Sequence, residues 1–236
     1  MEEKKVKSVK YVPEIKGTLR NHMIEVPSVI RNASGIKIFG KRLKSFLFTT
    51  DVAIIKNTNA DAIIAVYPFT PQPVITEALV RAADVPVFCG VGGGITTGKR
   101  VINLALDAEF KGALGVVVNN PTPNEVIRKM REGIDIPIIV TVVSECEDIP
   151  SRIEAGATIF NVSGAKNTAK IVRKIRSQYP EFPIIATGGP TEESILETIE
   201  AGANAITYTP PSIGEIFSTI MNKYRGKFEE EANDQR

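Results

Sequence analysis

Two carboxylates and one glycine cluster are the parts of this sequence best suited to chemistry. Asp51, in "FTTDVAIIKN", and Glu145, in "TVVSECED", each stand just after an apolar run. A carboxylate at a dry cavity mouth has its pKa raised toward the working range of a general base, so both are candidate acid–base groups. Each is equally suited to cap the helix that follows it. The cluster is "VPVFCGVGGGITTGKR", residues 85–100, in which Gly92, Gly93 and Gly94 would offer backbone N–H groups to an anion. From Gly93 it nearly matches the phosphate loop G-x-x-x-x-G-K-[ST], but Arg100 stands where a hydroxyl should bind Mg²⁺. The dinucleotide pattern fails as well, because Ile95 takes its last glycine position.

Composition limits the alternatives. The 236 residues are 43% apolar and 24% charged with a net charge of +2, an ordinary globular balance that predicts neither a nucleic-acid nor a membrane surface. The start, "MEEKKVKSVK", lacks the apolar region of a secretory signal, and no apolar run reaches the roughly 18 residues of a membrane span. Cys89 and Cys146 read as reduced thiols of a cytoplasmic protein, small apolar fillers rather than nucleophiles. The one histidine, His22, lies near the N-terminus. Histidine-pair metal sites are therefore excluded, and no metal is expected. Acid–base work falls to Asp, Glu, Lys, Tyr or Cys.

The elements that must position these groups emerge from a repeat. Residues 137–163, "PIIVTVVSECEDIPSRIEAGATIFNVS", align without a gap onto 183–209, "PIIATGGPTEESILETIEAGANAITYT". Each copy reads as a buried strand, a loop, a short helix ended by glycine, and a second strand. Apolar runs of this kind, as expected of strands buried on both faces, occur at 45–49, 61–66, 85–91, 113–119, 136–143, 157–163, 182–187 and 204–209. Amphipathic stretches such as "PQPVITEALVRAA" and "NTAKIVRKIRSQ" separate them. Eight strand–helix units predict an α/β fold, a (β/α)₈ TIM barrel, with an open doubly wound sheet as the alternative. The barrel is expected over 45–225. Residues 1–44 form an extension that wraps or plugs one end, with a hairpin turning at Gly40-Lys41, and 226–236 form a charged tail.

In this fold chemistry sits at the C-terminal ends of the strands. Candidate ligand contacts there are the glycine loop 92–94, Asn119, Asn161, Ser163, Lys166, Gly188, Gly189 and Ser212. Lys166 has a second reading as a solvated lysine. No lysine lies within strands two to eight, which argues against a Schiff-base aldolase.

The segment "PIIATGGPTEESILETIEAGANAI", with Gly188 and Gly189 at the glycine positions, resembles the phosphate-binding TIM-barrel superfamily. That superfamily includes histidine-biosynthesis isomerases, thiamine-phosphate synthase and flavin-binding barrels. The resemblance implies a phosphate cup between the loops after strands seven and eight. The second loop departs from the pattern: it reads Thr209-Pro210-Pro211-Ser212, and proline has no N–H to give. Over nearly the whole chain, through "GIKIFGKRLKSFLFTTD", "YPFTPQP", "GVGGGITTG" and "TYTPPS", the sequence is also similar to a bacterial barrel family that carries a loose hydrolase label.

These readings converge on a cytoplasmic enzyme acting on a small, phosphorylated, anionic metabolite. The expected chemistry is metal-independent proton transfer of the isomerase, epimerase or lyase type, with no cofactor. Three alternatives stand beside it. One is a ligand-sensing regulator resembling glycerol-3-phosphate-responsive antiterminators, suggested by the basic helix "KNTAKIVRKIRSQ". The others are a flavin-binding barrel holding FMN and a hydrolase. A homo-oligomer is compatible with all of them.

Overall fold

The computed structural model describes residues 11–15, 17–18 and 23–234, with side chains as far as Gly226; His22 lies outside the described residues. Among the described residues, eight parallel strands close into a barrel, each beside its neighbours in the chain and the last beside the first. They are β3 (Ser45–Phe48), β4 (Ala62–Ala65), β5 (Val87–Gly92), β6 (Gly115–Val118), β7 (Ile138–Val142), β8 (Ile159–Val162), β9 (Ile184–Thr187) and β10 (Ala205–Tyr208). Each expected strand is present and shorter than its apolar run. The connecting helices are α1 (Val52–Lys56), α2 (Pro73–Ala82), α3 (Lys99–Phe110), α4 (Asn124–Gly133), α5 (Ile149–Ala155), α6 (Thr168–Gln178) and α7 (Glu192–Glu200). The last, α8 (Ile213–Asp234), runs on through the segment expected as a separate tail.

Strand residues alternate between two cores, as the period of two requires. Leu47, Ile63, Val116, Ile138, Ile184 and Ile206 face outward into the helix layer. Phe46, Ile64, Phe88, Val117, Ile139 and Ile185 fill the barrel interior, where the Phe46 and Phe88 rings meet edge to face at 5.3 Å. By the same parity Cys89 points into the helix layer. Burial pushes its thiol up to about 12, so it is a filler. Cys146, expected as a second filler, is exposed.

The extension closes the floor. An antiparallel hairpin, β1 (Ile36–Ile38) with β2 (Lys41–Leu43), packs Ile36, Ile38 and Leu43 against the interior core. Its turn falls at Phe39-Gly40, one residue earlier than expected, with φ of 43° and 84°. Positive φ at both central positions gives the turn whose twist matches the two strands.

Upstream of the hairpin, Ile24 bonds to Asn57 at the end of α1, and the 3₁₀ turn Ser28–Asn32 lies against α7. Residues 24–32 therefore cross between α1 and α7, the space a barrel's eighth helix normally fills. Ile30 is buried there. Of the α8 side chains, Ile213 and Ile216 pack against the helix layer, while Phe217, Met221 and Tyr224 are exposed.

Candidate active site

The upper layer of the barrel interior is polar on one side and nearly empty on the other. Parity turns Thr141, Asn161, Thr187 and Thr207 inward above the apolar core, on four consecutive strands β7 to β10. The Thr207 hydroxyl donates to Asn161 Oδ1 at 3.5 Å, a bond that spans β9 and so requires both side chains to point into the barrel. Across the mouth, β4 offers Val66 and β5 offers Gly90, whose missing side chain leaves the space open.

That space is a cleft of about 210 Å³ between the β4–α2 loop and the glycine loop, lined by Tyr67, Phe69, Gly90, Gly93, Ile95 and Asn119 among others. Gly92 and Gly94 complete its glycine wall. The register of β5 against β6 shifts between Gly90 and Gly92, a bulge that lifts the loop off the barrel. Gly93 has φ of 99° and Gly94 of 89°, both in the region that favours glycine. The Gly93 N–H donates to Thr96 O at 3.0 Å, closing the turn. The amides of Gly94 and Ile95 have no partner among the described residues. The loop therefore leaves two backbone donors free, at Gly94 and Ile95.

The two lips are tied together. The Thr96 hydroxyl, buried in the loop, donates to Thr70 Oγ1 at 3.2 Å across the cleft. Tyr67 accepts from the Gln72 N–H at 3.0 Å and folds the β4–α2 loop upon itself.

The expected acid–base pair is not brought together. β3 and β7 lie on opposite sides of the ring, so Asp51 and Glu145 stand across the mouth from each other. Asp51 Oδ1 accepts from the Ala53 and Ile54 N–H groups at 2.8 and 3.1 Å, capping α1. Asp51 also lines a second mouth cavity of about 400 Å³ beside Thr49, Thr209 and Ser212. Glu145 turns outward, pairing with Lys170 at 2.8 Å in a recess between α5 and α6.

The donors expected to form a phosphate cup are largely spent. The Gly188 N–H donates to Thr207 O at 3.4 Å, and Gly189 packs against Ser194, where an added Cβ would lie 2.6 Å from Oγ. Thr191 and Ser194 cap each other at the start of α7. Glu193 bonds its own backbone N–H and the Thr191 hydroxyl, which lowers its pKa. In the second loop the Ser212 N–H and hydroxyl both donate to Glu215 Oε2 at 2.7 Å. Those bonds hold the Glu215 carboxyl below its ordinary value. The chain's own side chains occupy the helix starts that an anion would otherwise use.

Of the remaining candidates, Asn119 and Asn161 lie at the mouth, while Ser163 and Lys166 are exposed on the β8–α6 connection. Three of the four basic residues of α6 bond within the chain, while Arg173 is exposed. Lys170 and Lys174 hold Glu145, and Arg176 donates to Gly202 O, Pro180 O, Phe182 O and Asn204 Oδ1.

One cluster escaped the sequence. Arg152 on α5 pairs with Glu147 at 2.8 Å, the two side chains being 11% and 13% exposed. Arg152 also donates to Asn120 O at 2.6 Å, Asn124 Oδ1 at 2.9 Å and Thr122 O. Asn120 donates its side-chain amide to Glu147. These bonds clamp the β6–α4 loop that carries Asn119 into the cleft. No residue type or spacing in the sequence signalled it, since its members come from elements as far apart as the β6–α4 loop and α5.

No protein-family model matches the chain, and no curated protein matches its sequence. Its structure matches many solved ones. A phosphoenolpyruvate phosphomutase from Streptomyces platensis subsp. rosaceus superposes with a TM-score of 0.57 at 12% identity, covering 83% of this chain and 85% of that one. A phosphonopyruvate hydrolase in complex with oxalate and Mg²⁺ gives 0.57 at 13% identity, covering 82% and 83%. A thiamine phosphate pyrophosphorylase from Pyrococcus furiosus gives 0.53 at 18% identity, covering 71% and 85%. The fold is a (β/α)₈ TIM barrel. At these identities the likeness extends to the fold alone. Among the described residues no three His, Cys, Asp or Glu side chains come together as metal ligands, and no helix is long and apolar enough to cross a membrane.

Proposed function

We propose that this barrel is an enzyme acting on a small anionic metabolite bound in the mouth cleft between the β4–α2 and β5–α3 loops. The observation that carries the reading is the pair of unpartnered amides, Gly94 and Ile95, in the glycine loop that lines that cleft. Unpartnered amides there suit a carboxylate or phosphate oxygen. In the barrel interior the neutral Thr141 and Thr187 hydroxyls and the Asn161 side-chain amide suit a polarised carbonyl, the Thr207 hydroxyl being taken by Asn161 Oδ1. Proton transfer beside such a carbonyl is isomerase, epimerase or lyase chemistry. Asp51 is the candidate acid–base group; it lines the separate 400 Å³ mouth cavity, with Oδ1 holding α1, so its role requires a substrate that reaches from the cleft into that cavity. Glu145 serves as a brace for α6. The names of the structural neighbours, several of them phosphate-ester or phosphonate enzymes, support a phosphorylated substrate.

A thermal-shift panel of phosphate esters, phosphonates and 2-oxo acids tests this reading. A ligand at 100 times its Kd adds about 2.7 kcal/mol of stability. Stabilisation that disappears in Asn119→Ala is the expected result; no shift with any anion refutes the reading.

A further inference from the structure

The cleft has a second face that an anion does not need. Opposite the glycine wall stand Tyr67, Pro68, Phe69, Pro71 and, at the glycine-loop tip, Ile95. Phe69 is 73% and Ile95 87% exposed, although both line the cleft. Exposed large apolar groups gathered at a concave site mark a surface that is covered when a ligand binds. The geometry is also set in advance. Two prolines stiffen the Phe69 loop, Tyr67 anchors it through Gln72, and the Thr96–Thr70 bond fixes the distance between the lips. Little ordering remains to be done when an apolar group enters.

We infer that the substrate is an anion carrying an aromatic or branched apolar group. Its charged end lies at the free Gly94 and Ile95 amides and its apolar body between the Phe69 and Ile95 side chains. Polyhydroxylated sugar phosphates are disfavoured, because the described lining between these two side chains offers their hydroxyls few partners. This inference rests on the anion-binding reading of the same cleft and narrows its substrate class.

Matched probes separate the two ideas. Methyl phosphate is compared with phenyl phosphate, and pyruvate with phenylpyruvate, by calorimetric titration of the full chain. Burying one ring should tighten binding roughly 10- to 100-fold. Phe69→Ala and Ile95→Ala, at exposed positions that leave folding intact, should erase most of that gain and spare the small probes. If methyl and phenyl probes bind equally, or if both substitutions leave the gain unchanged, the apolar-substrate inference is overturned while the anion site stands. If no probe of either kind binds, the anion site itself fails and the inference falls with it.

Discussion

Gly93 sits directly against Asn119: a Cβ on Gly93 would lie 2.6 Å from Asn119 Cβ and 2.8 Å from its backbone nitrogen. The Asn119 N–H in turn donates to Gly92 O at 3.0 Å. The glycine loop and the end of β6 thus form one unit, and the glycine side of the cleft is held to the barrel. Gly93→Ala should cost about 1–3 kcal/mol, since alanine must adopt φ of 99° and displace backbone as well. Denaturant titration measures the loss. Gly94→Ala, with positive φ and nothing within 4 Å of its Cβ, should cost less.

Asp51 separates cap from catalyst. Asparagine caps a helix as well as aspartate does, whereas alanine forfeits about 0.5–2 kcal/mol. Asp51→Asn should keep the melting temperature and lose turnover once a substrate is found; Asp51→Ala should lose both. Turnover retained in Asp51→Asn removes the acid–base role and leaves the cap.

The Arg152–Glu147 pair is nearly buried and hydrogen-bonded throughout, so removing one partner strands the other. Arg152→Ala should cost about 3–5 kcal/mol. The exposed Lys129–Glu125 pair should be worth little, and Lys129→Ala is expected to change stability negligibly. Hydrogen exchange should also report faster opening of residues 119–123 in Arg152→Ala.

Cys89 and Cys146 should differ in reactivity. A thiol reagent at neutral pH should modify the exposed Cys146 in the native state and Cys89 only on unfolding. The folded Cys89 pKa is raised from 9.0 to about 12. Its contribution to stability is therefore fully present below pH 9. It is lost above that, by about 1.4 kcal/mol per pH unit until the folded thiol itself titrates. Comparing Cys89→Ala with the parent chain between pH 8 and 11 isolates this slope, which should be absent in the variant.

Glu215 occupies the donors at the start of α8. Glu215→Ala frees the Ser212 N–H and hydroxyl and should raise the affinity for inorganic phosphate at the α8 start. An unchanged affinity means that Pro210-Pro211 alone prevents binding there.

The eight strands were legible because a strand buried on both faces must be continuously apolar, and the gapless repeat from 137 to 209 shows the unit twice. The glycine loop was legible for a similar reason: glycine adopts positive φ at no steric cost, as Gly93 and Gly94 do, so a run of glycines announces a tight turn. Local chemistry of this kind is written in the residue types.

Direction in space is not. Asp51 and Glu145 look equivalent in the chain, yet ring closure sets them on opposite rims, and Lys170 draws Glu145 outside. Gly188 and Ser212 look like phosphate donors until Thr207 and Glu215 take their bonds. Arg152 reads as one more helix arginine until folding buries it among the carbonyls of a loop some thirty residues upstream. Each outcome depends on which partner reaches a donor first, and those partners come from strands and helices far apart in the chain. Propensity and pattern settle what a segment becomes; the closed barrel settles what each side chain meets.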